Sequence, residues 1–150
     1  MGEFKTIDEG FFVSGQIFEN DLDIAKARGV TLIICNRPDN EDPNQPSSEV
    51  VKDWAEVRGM NFKNIPVTGT NIDLKAISEF GILLTEAEGS VLAYCRSGMR
   101  SCTLWALTHA AGDDLTNEEI LTTAKLAGYD LGAMITGLES VRKTTRVEMS

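Results

Sequence analysis

The stretch Val91-Leu92-Ala93-Tyr94-Cys95-Arg96-Ser97-Gly98-Met99-Arg100-Ser101 constrains this chain more than any other. Its first four residues are apolar, the pattern of a short strand buried on both faces. The run then breaks at a cysteine, crosses a short loop containing glycine, and enters residues 101–107, which read as a helix. A strand, a tight loop and a helix N-terminus form an anion cradle, because the N–H groups of the loop and first helical turn lack intrachain acceptors. A thiol at the mouth of such a cradle is favoured as the thiolate by the helix dipole and by neighbouring guanidinium groups. Arg96 and Arg100 both lie within five residues of Cys95. Cys95 is therefore the candidate nucleophile.

The remaining pattern alternates buried strands with helices. Residues 11–15 and 31–35 read as strands, 60–65 as a third, and 91–94 as a fourth. Between them lie a helix opening near Asn20 and closing at Gly29, one capped by Ser47 or Ser48 and stopped at Gly59, and one capped by Asp73. Thr116-Asn117-Glu118-Glu119 has the form of a capping box for a further helix closed by Gly128. A last helix covers about 131–143, and the charged tail beyond about residue 144 is expected to fray. This order predicts a single α/β domain over residues 1–150, with three layers and a mostly parallel sheet flanked by helices. Ligands of such sheets bind beyond the carboxyl ends of the strands, where loops 36–46, 66–72 and 95–100 should converge.

Charge narrows the partner. Twenty-three acidic residues oppose 14 basic ones, for a net charge of −9. That balance disfavours a nucleic-acid surface, and arginines inside an acidic chain point to a small anionic substrate. No run reaches membrane-spanning length, and the first ten residues lack the apolar segment of a secretion signal. Three cysteines (Cys35, Cys95, Cys102) and one histidine show no metal-ligand spacing, so no metal or organic cofactor is implied and a reducing, cytoplasmic setting is expected. Nothing in the pattern specifies an oligomer.

Within the cradle, Arg100 is the preferred anion clamp, because it starts the helix and can turn its guanidinium fork inward. The loop residues Arg96, Ser97, Gly98 and Met99 would bind the anion through their amides, and Ser101 could bond the thiolate or cap the helix. Gly98 supplies a backbone conformation that other residues reach only with strain. Arg37, just past a strand end, is a second anion contact or a partner for the acidic residues 39–42. His109 is too far along the helix to activate the thiol.

The motifs Asn36-Arg37-Pro38-Asp39, Gln45-Pro46-Ser47-Ser48, Ile65-Pro66-Val67-Thr68-Gly69, the Cys95 stretch and Ala127-Gly128-Tyr129-Asp130-Leu131 resemble, in that order, a bacterial family of phosphatase-like proteins of unknown function. That family falls within the protein tyrosine and dual-specificity phosphatase superfamily, and relatives of it occur fused to metallo-β-lactamase-like hydrolases linked to sulfide metabolism. The resemblance implies a protein tyrosine phosphatase-like fold and a cysteine-dependent hydrolysis of phosphomonoesters. Two differences accompany it. The superfamily signature has five residues between Cys and Arg, usually with His before the Cys; here four residues separate Cys95 from Arg100, and Tyr94 precedes the cysteine. A loop of this shorter form, Cys-Arg-Ser-Gly-x-Arg, resembles that of rhodaneses, which carry sulfur as a cysteine persulfide. The general acid of the related enzymes falls near Thr68-Gly69, which leaves Asp39 and Asp73 as substitutes. For Asp39 the competing role is a turn residue after Pro38, and for Asp73 a helix cap.

Three functions are therefore compatible with the sequence. They are a phosphatase acting through a phosphocysteine, a sulfurtransferase acting through a Cys95 persulfide, and a non-catalytic anion-binding regulatory module.

Overall fold

The strand that ends at the cysteine is the middle of the sheet. In the structure, a computed structural model, residues 3–68 and 72–149 are described, with side chains as far as Thr145. Five strands run β1 (Lys5–Asp8), β2 (Phe11–Ser14), β3 (Val30–Cys35), β4 (Asn61–Asn64) and β5 (Ser90–Tyr94), arranged in the order β1-β2-β5-β3-β4. β5 pairs in parallel with β2 on one side and β3 on the other, and β4 continues the parallel set beyond β3. Among the five described strands, β1 alone is antiparallel, hydrogen-bonded to β2 at the edge.

Side-chain alternation along β5 divides the core into two. Val91 and Ala93 face a cluster with Val13, Ile34, Phe80, Leu104 and Trp105. Leu92 and Tyr94 face the other cluster, with Leu22, Ile33, Cys35 and Val51. Helices α1 (Glu19–Ala27) and α2 (Ser48–Val57) supply the second cluster, while α3 (Leu74–Glu86), α4 (Met99–Gly112), α5 (Asn117–Leu126) and α6 (Ile135–Met149) cover the first face. The expected three-layer α/β architecture is present. α4 is the most enclosed helix, burying Ser101 through Leu107 and Ala110. An apolar stripe is not enough to describe it, because neighbours surround it on nearly every side.

The caps explain where helices start. The Ser47 hydroxyl accepts from the Val50 N–H at 3.3 Å, and the Asp73 carboxylate accepts from the Ala76 N–H at 2.9 Å. Thr116 and Glu119 bond each other's backbones reciprocally at 3.0 and 3.1 Å. α1 begins one residue before Asn20, its first turn held by the Asp21 carboxylate on the Phe18 N–H at 2.8 Å.

Three elements differ from the sequence expectation. β1 lay unseen in the polar N-terminal segment, because an edge strand buries only Ile7 of its four residues and carries no continuous apolar run. α4 starts at Met99 rather than Ser101, so Arg100 is already helical. α6 continues to Met149, preceded by a 3-10 turn at Gly132–Met134. No glycine or proline interrupts residues 138–149, and the Thr144 and Thr145 hydroxyls bond back to the preceding turn at 3.0 and 2.9 Å.

Candidate active site

Cys95 follows β5 directly, its N–H donating to the Ser14 carbonyl at 3.2 Å. The side chain is fully buried and accepts the Gly98 N–H on Sγ at 3.0 Å. Among the described residues, the N–H groups of Arg96, Ser97, Arg100 and Ser101 meet no intrachain acceptor. These are the orphan donors of the loop and helical first turn that follow Cys95. The Met99 N–H is turned onto the Ser97 hydroxyl at 3.4 Å.

Gly98 makes this loop possible. It caps α4 with φ at +93°, a left-handed conformation in which a side chain is strained. A Cβ there would also collide with the Tyr129 ring, whose hydroxyl donates to the Ser97 carbonyl at 3.2 Å. Gly15 leaves room for the loop's other side, since a Cβ there would meet the Arg96 carbonyl at 2.9 Å.

Arg100 is held by Glu41. Its Nη1 donates to Glu41 Oε2 at 2.9 Å and to the Val67 carbonyl at 3.0 Å, and its Nη2 donates to Glu41 Oε1 at 2.8 Å. Glu41 Oε1 also accepts Arg37 Nε at 3.0 Å, and Arg37 Nη1 donates to Gln16 at 2.9 Å. The bond from Arg100, with that from Arg37, holds the Glu41 carboxyl below its ordinary range. Arg100 is pushed up in turn, chiefly by Glu41 and further by the neighbouring Cys95 sulfur. Glu41 and Val67 take three of the five guanidinium N–H donors, which leaves two to face the Cys95 sulfur and an anion bound beside it.

Ser101 is neither on the thiol nor a cap. Its hydroxyl donates to Asn36 Oδ1 at 2.9 Å, while Asn36 Nδ2 donates to the Ile65 carbonyl at 2.9 Å. The Asn36 backbone bonds Tyr94 at 2.8 Å and Val67 at 3.1 Å, so this one buried residue ties together the three loops at the strand ends.

The two proposed acids take part in helix starts. Asp39 Oδ1 accepts the Ser48 N–H at 2.7 Å and Oδ2 accepts the Ser48 hydroxyl at 3.0 Å, which occupies both oxygens at the head of α2. Asp73 is exposed and caps α3. Gly69, part of the position where the resemblance puts an acid, lies outside the described residues. Arg96, Ser97 and Met99 are exposed. Arg37 is buried against Glu41 and Gln16.

The other thiols are insulated. Burial pushes Cys102 up to about 12 and raises Cys35, whose Sγ lies 3.3 Å from the Arg37 carbonyl. Tyr94, at the position before Cys95, faces Cys35, and burial raises its hydroxyl strongly. His109 pairs with Asp114 at 3.0 Å toward the C-terminal end of α4. Sequence reasoning missed Glu41, Gln16 and Asn36 as parts of the site. Glu41 stood among the acidic residues offered to Arg37 and Asn36 opens the motif Asn36-Arg37-Pro38-Asp39, whereas Gln16 belongs to no motif.

Comparison with known proteins places the chain in a family and agrees with its fold. The family model described as "Beta-lactamase hydrolase-like protein, phosphatase-like domain" matches residues 3–112. A β-lactamase hydrolase-like protein of Xylella fastidiosa is 35% identical over 133 residues, which cover 89% of this chain and 31% of that protein. The chain thus spans about a third of the length of the curated relatives it matches. A candidate phosphatase of Neisseria meningitidis, solved by crystallography, is 35% identical with a TM-score of 0.84, covering 95% of this chain and 99% of the other. The kinase-associated phosphatase shares the fold at 15% identity and a TM-score of 0.75, over 95% of this chain and 94% of its own.

Proposed function

Because the chain belongs to the phosphatase-like domain family of the β-lactamase hydrolase-like proteins, we propose that it hydrolyses phosphomonoesters through a phosphocysteine on Cys95. The observation that carries this reading is the set of N–H groups without intrachain acceptors in the loop and helix start that follow Cys95, with Arg100 beside the sulfur. In this reading the Cys95 thiolate attacks phosphorus in line with the leaving oxygen. The amides of Arg96, Ser97, Arg100 and Ser101 then hold the equatorial oxygens, whose charge is spread in the transition state. Arg100 adds a bidentate contact, and Glu41 fixes its fork so that little ordering remains at the moment of reaction. Water then cleaves the S–P bond and restores the thiolate.

Turnover of p-nitrophenyl phosphate by the wild-type chain and by Cys95→Ser tests the reading. Activity in the wild type and none above background in the variant is expected. Equal turnover by the two proteins would assign the activity elsewhere.

The four-residue spacing between Cys95 and Arg100 favours a second reading, sulfur transfer. There the thiolate attacks the outer sulfur of thiosulfate, the S–S bond breaks and sulfite leaves, and the persulfide passes to a thiol acceptor. Intact mass after incubation with thiosulfate tests it: one added sulfur on Cys95 supports transfer, and an unchanged mass rejects it.

A further inference from the structure

A phosphomonoester that loses an alkoxide needs a proton on the leaving oxygen, and a positioned acid supplies roughly 10²–10⁴-fold of the rate. The carboxylates around the cradle can be accounted for one at a time. Loop 66–72, which lies against Arg100 through Val67, contains no Asp, Glu, His, Tyr, Cys or Lys at all. Asp39 has both oxygens on Ser48. Asp73 caps α3, and the half-buried Asp42 accepts the Asn44 N–H at 3.0 Å within its own loop. Glu41 is clamped by two guanidinium groups that keep it ionised, so it reaches the site as a carboxylate without a proton. Glu3 and Asp21 lie across Ser97, in a groove that neither Cys95 nor Arg100 lines; Asp21 is buried there with Oδ2 on the Phe18 N–H and Oδ1 without a hydrogen-bond partner. The Tyr129 proton is given to the Ser97 carbonyl, and burial pushes that hydroxyl up to about 12.

We infer that the site selects substrates whose leaving group departs as a stable anion without protonation: acidic phenols or phosphoanhydrides, not alkyl alcohols. This rests on the phosphatase reading and narrows it. As the S–P bond forms, the P–O bond to the leaving group breaks and its electron pair leaves with that oxygen, with no proton moved. In the second step water attacks phosphorus and the S–P pair returns to Cys95. The water's proton passes to an oxygen of the phosphoryl group, which is released as phosphate. The same rule favours the terminal phosphoryl group of a nucleoside diphosphate, whose leaving group is itself a phosphate, over the phosphomonoester of a nucleoside monophosphate.

The test is kcat/KM for a series of aryl phosphates of graded phenol acidity, with glycerol phosphate and a nucleoside diphosphate and monophosphate alongside. Phenyl phosphate should fall about 10²-fold or more below p-nitrophenyl phosphate, the factor a missing acid leaves uncompensated. Glycerol phosphate should be slower still, and the diphosphate should outrun the monophosphate. Asp39→Asn and Asp73→Asn should leave the whole dependence unchanged. A flat aryl series, a monophosphate preferred over the diphosphate, or a dependence that steepens in either Asp variant would overturn the inference while the phosphatase reading stands. No turnover of any member, p-nitrophenyl phosphate included, would overturn both.

Discussion

Arg100 carries five N–H donors, and Glu41 and Val67 take three of them. The remaining edge is the part that can meet an anion, so Glu41 works by positioning. Arg100→Lys keeps the charge and loses the fork, and kcat/KM for p-nitrophenyl phosphate should drop about 10²–10³-fold. Glu41→Gln keeps the shape and loosens the clamp, which should cost about tenfold, read mainly in kcat because the geometry of attack is what loosens. The pairing also makes a pH statement. Glu41 is held below its ordinary value of 4.5, so its contribution to stability is fully present above that pH and fades as pH falls through the lower folded value. Urea unfolding should therefore separate wild type from Glu41→Gln by a constant amount near neutrality and by less in acid. A difference that grows on acidification would contradict the assignment.

At the scale of elements, the start of α4 is the demanding feature. Gly98 combines a left-handed φ with a ring pressed against it, and no other residue satisfies both. Gly98→Ala should lower stability by about 1–3 kcal/mol and shift the Tyr129 contact, visible as a changed Tyr fluorescence or ring resonance as well as a lower Tm. Asp73 gives the opposite signature: Asp73→Ala removes a cap worth about 1 kcal/mol, and Tm should fall by a few degrees with kcat unchanged. Elements with a dense local signal were legible in the sequence. β2, β3 and β5 are buried on both faces, and Ser47, Asp73 and Thr116 announce their helices through short-range bonds. β1 was not legible, since pairing with β2, rather than its own apolar content, defines it. The early start of α4 was hidden for a related reason: Met99 and Arg100 look like loop until Gly98 is seen to cap them.

At the scale of the molecule, parallel pairing of β2, β5 and β3 brings three loops to one end, and that convergence was readable from strand order alone. The bonds that lock it were not. Asn36 to Ser101 spans 65 residues and Glu41 to Arg100 spans 59, and the motifs that hold Asn36, Arg100 and Ser101 do not say which residue each one meets. The sequence nominated Asp39 and Asp73 because carboxylates near a loop are common to acids and caps, and only the bonding distinguishes the two uses. What emerges is a cradle assembled by long-range contacts around one thiol. The most direct measurement of its role is rapid acid quenching of the wild-type chain with p-nitrophenyl phosphate, followed by mass analysis of the peptide containing Cys95. The account predicts a phosphoryl adduct on Cys95, absent from Cys95→Ser. Steady turnover with no adduct on that peptide, or an adduct elsewhere, would contradict it.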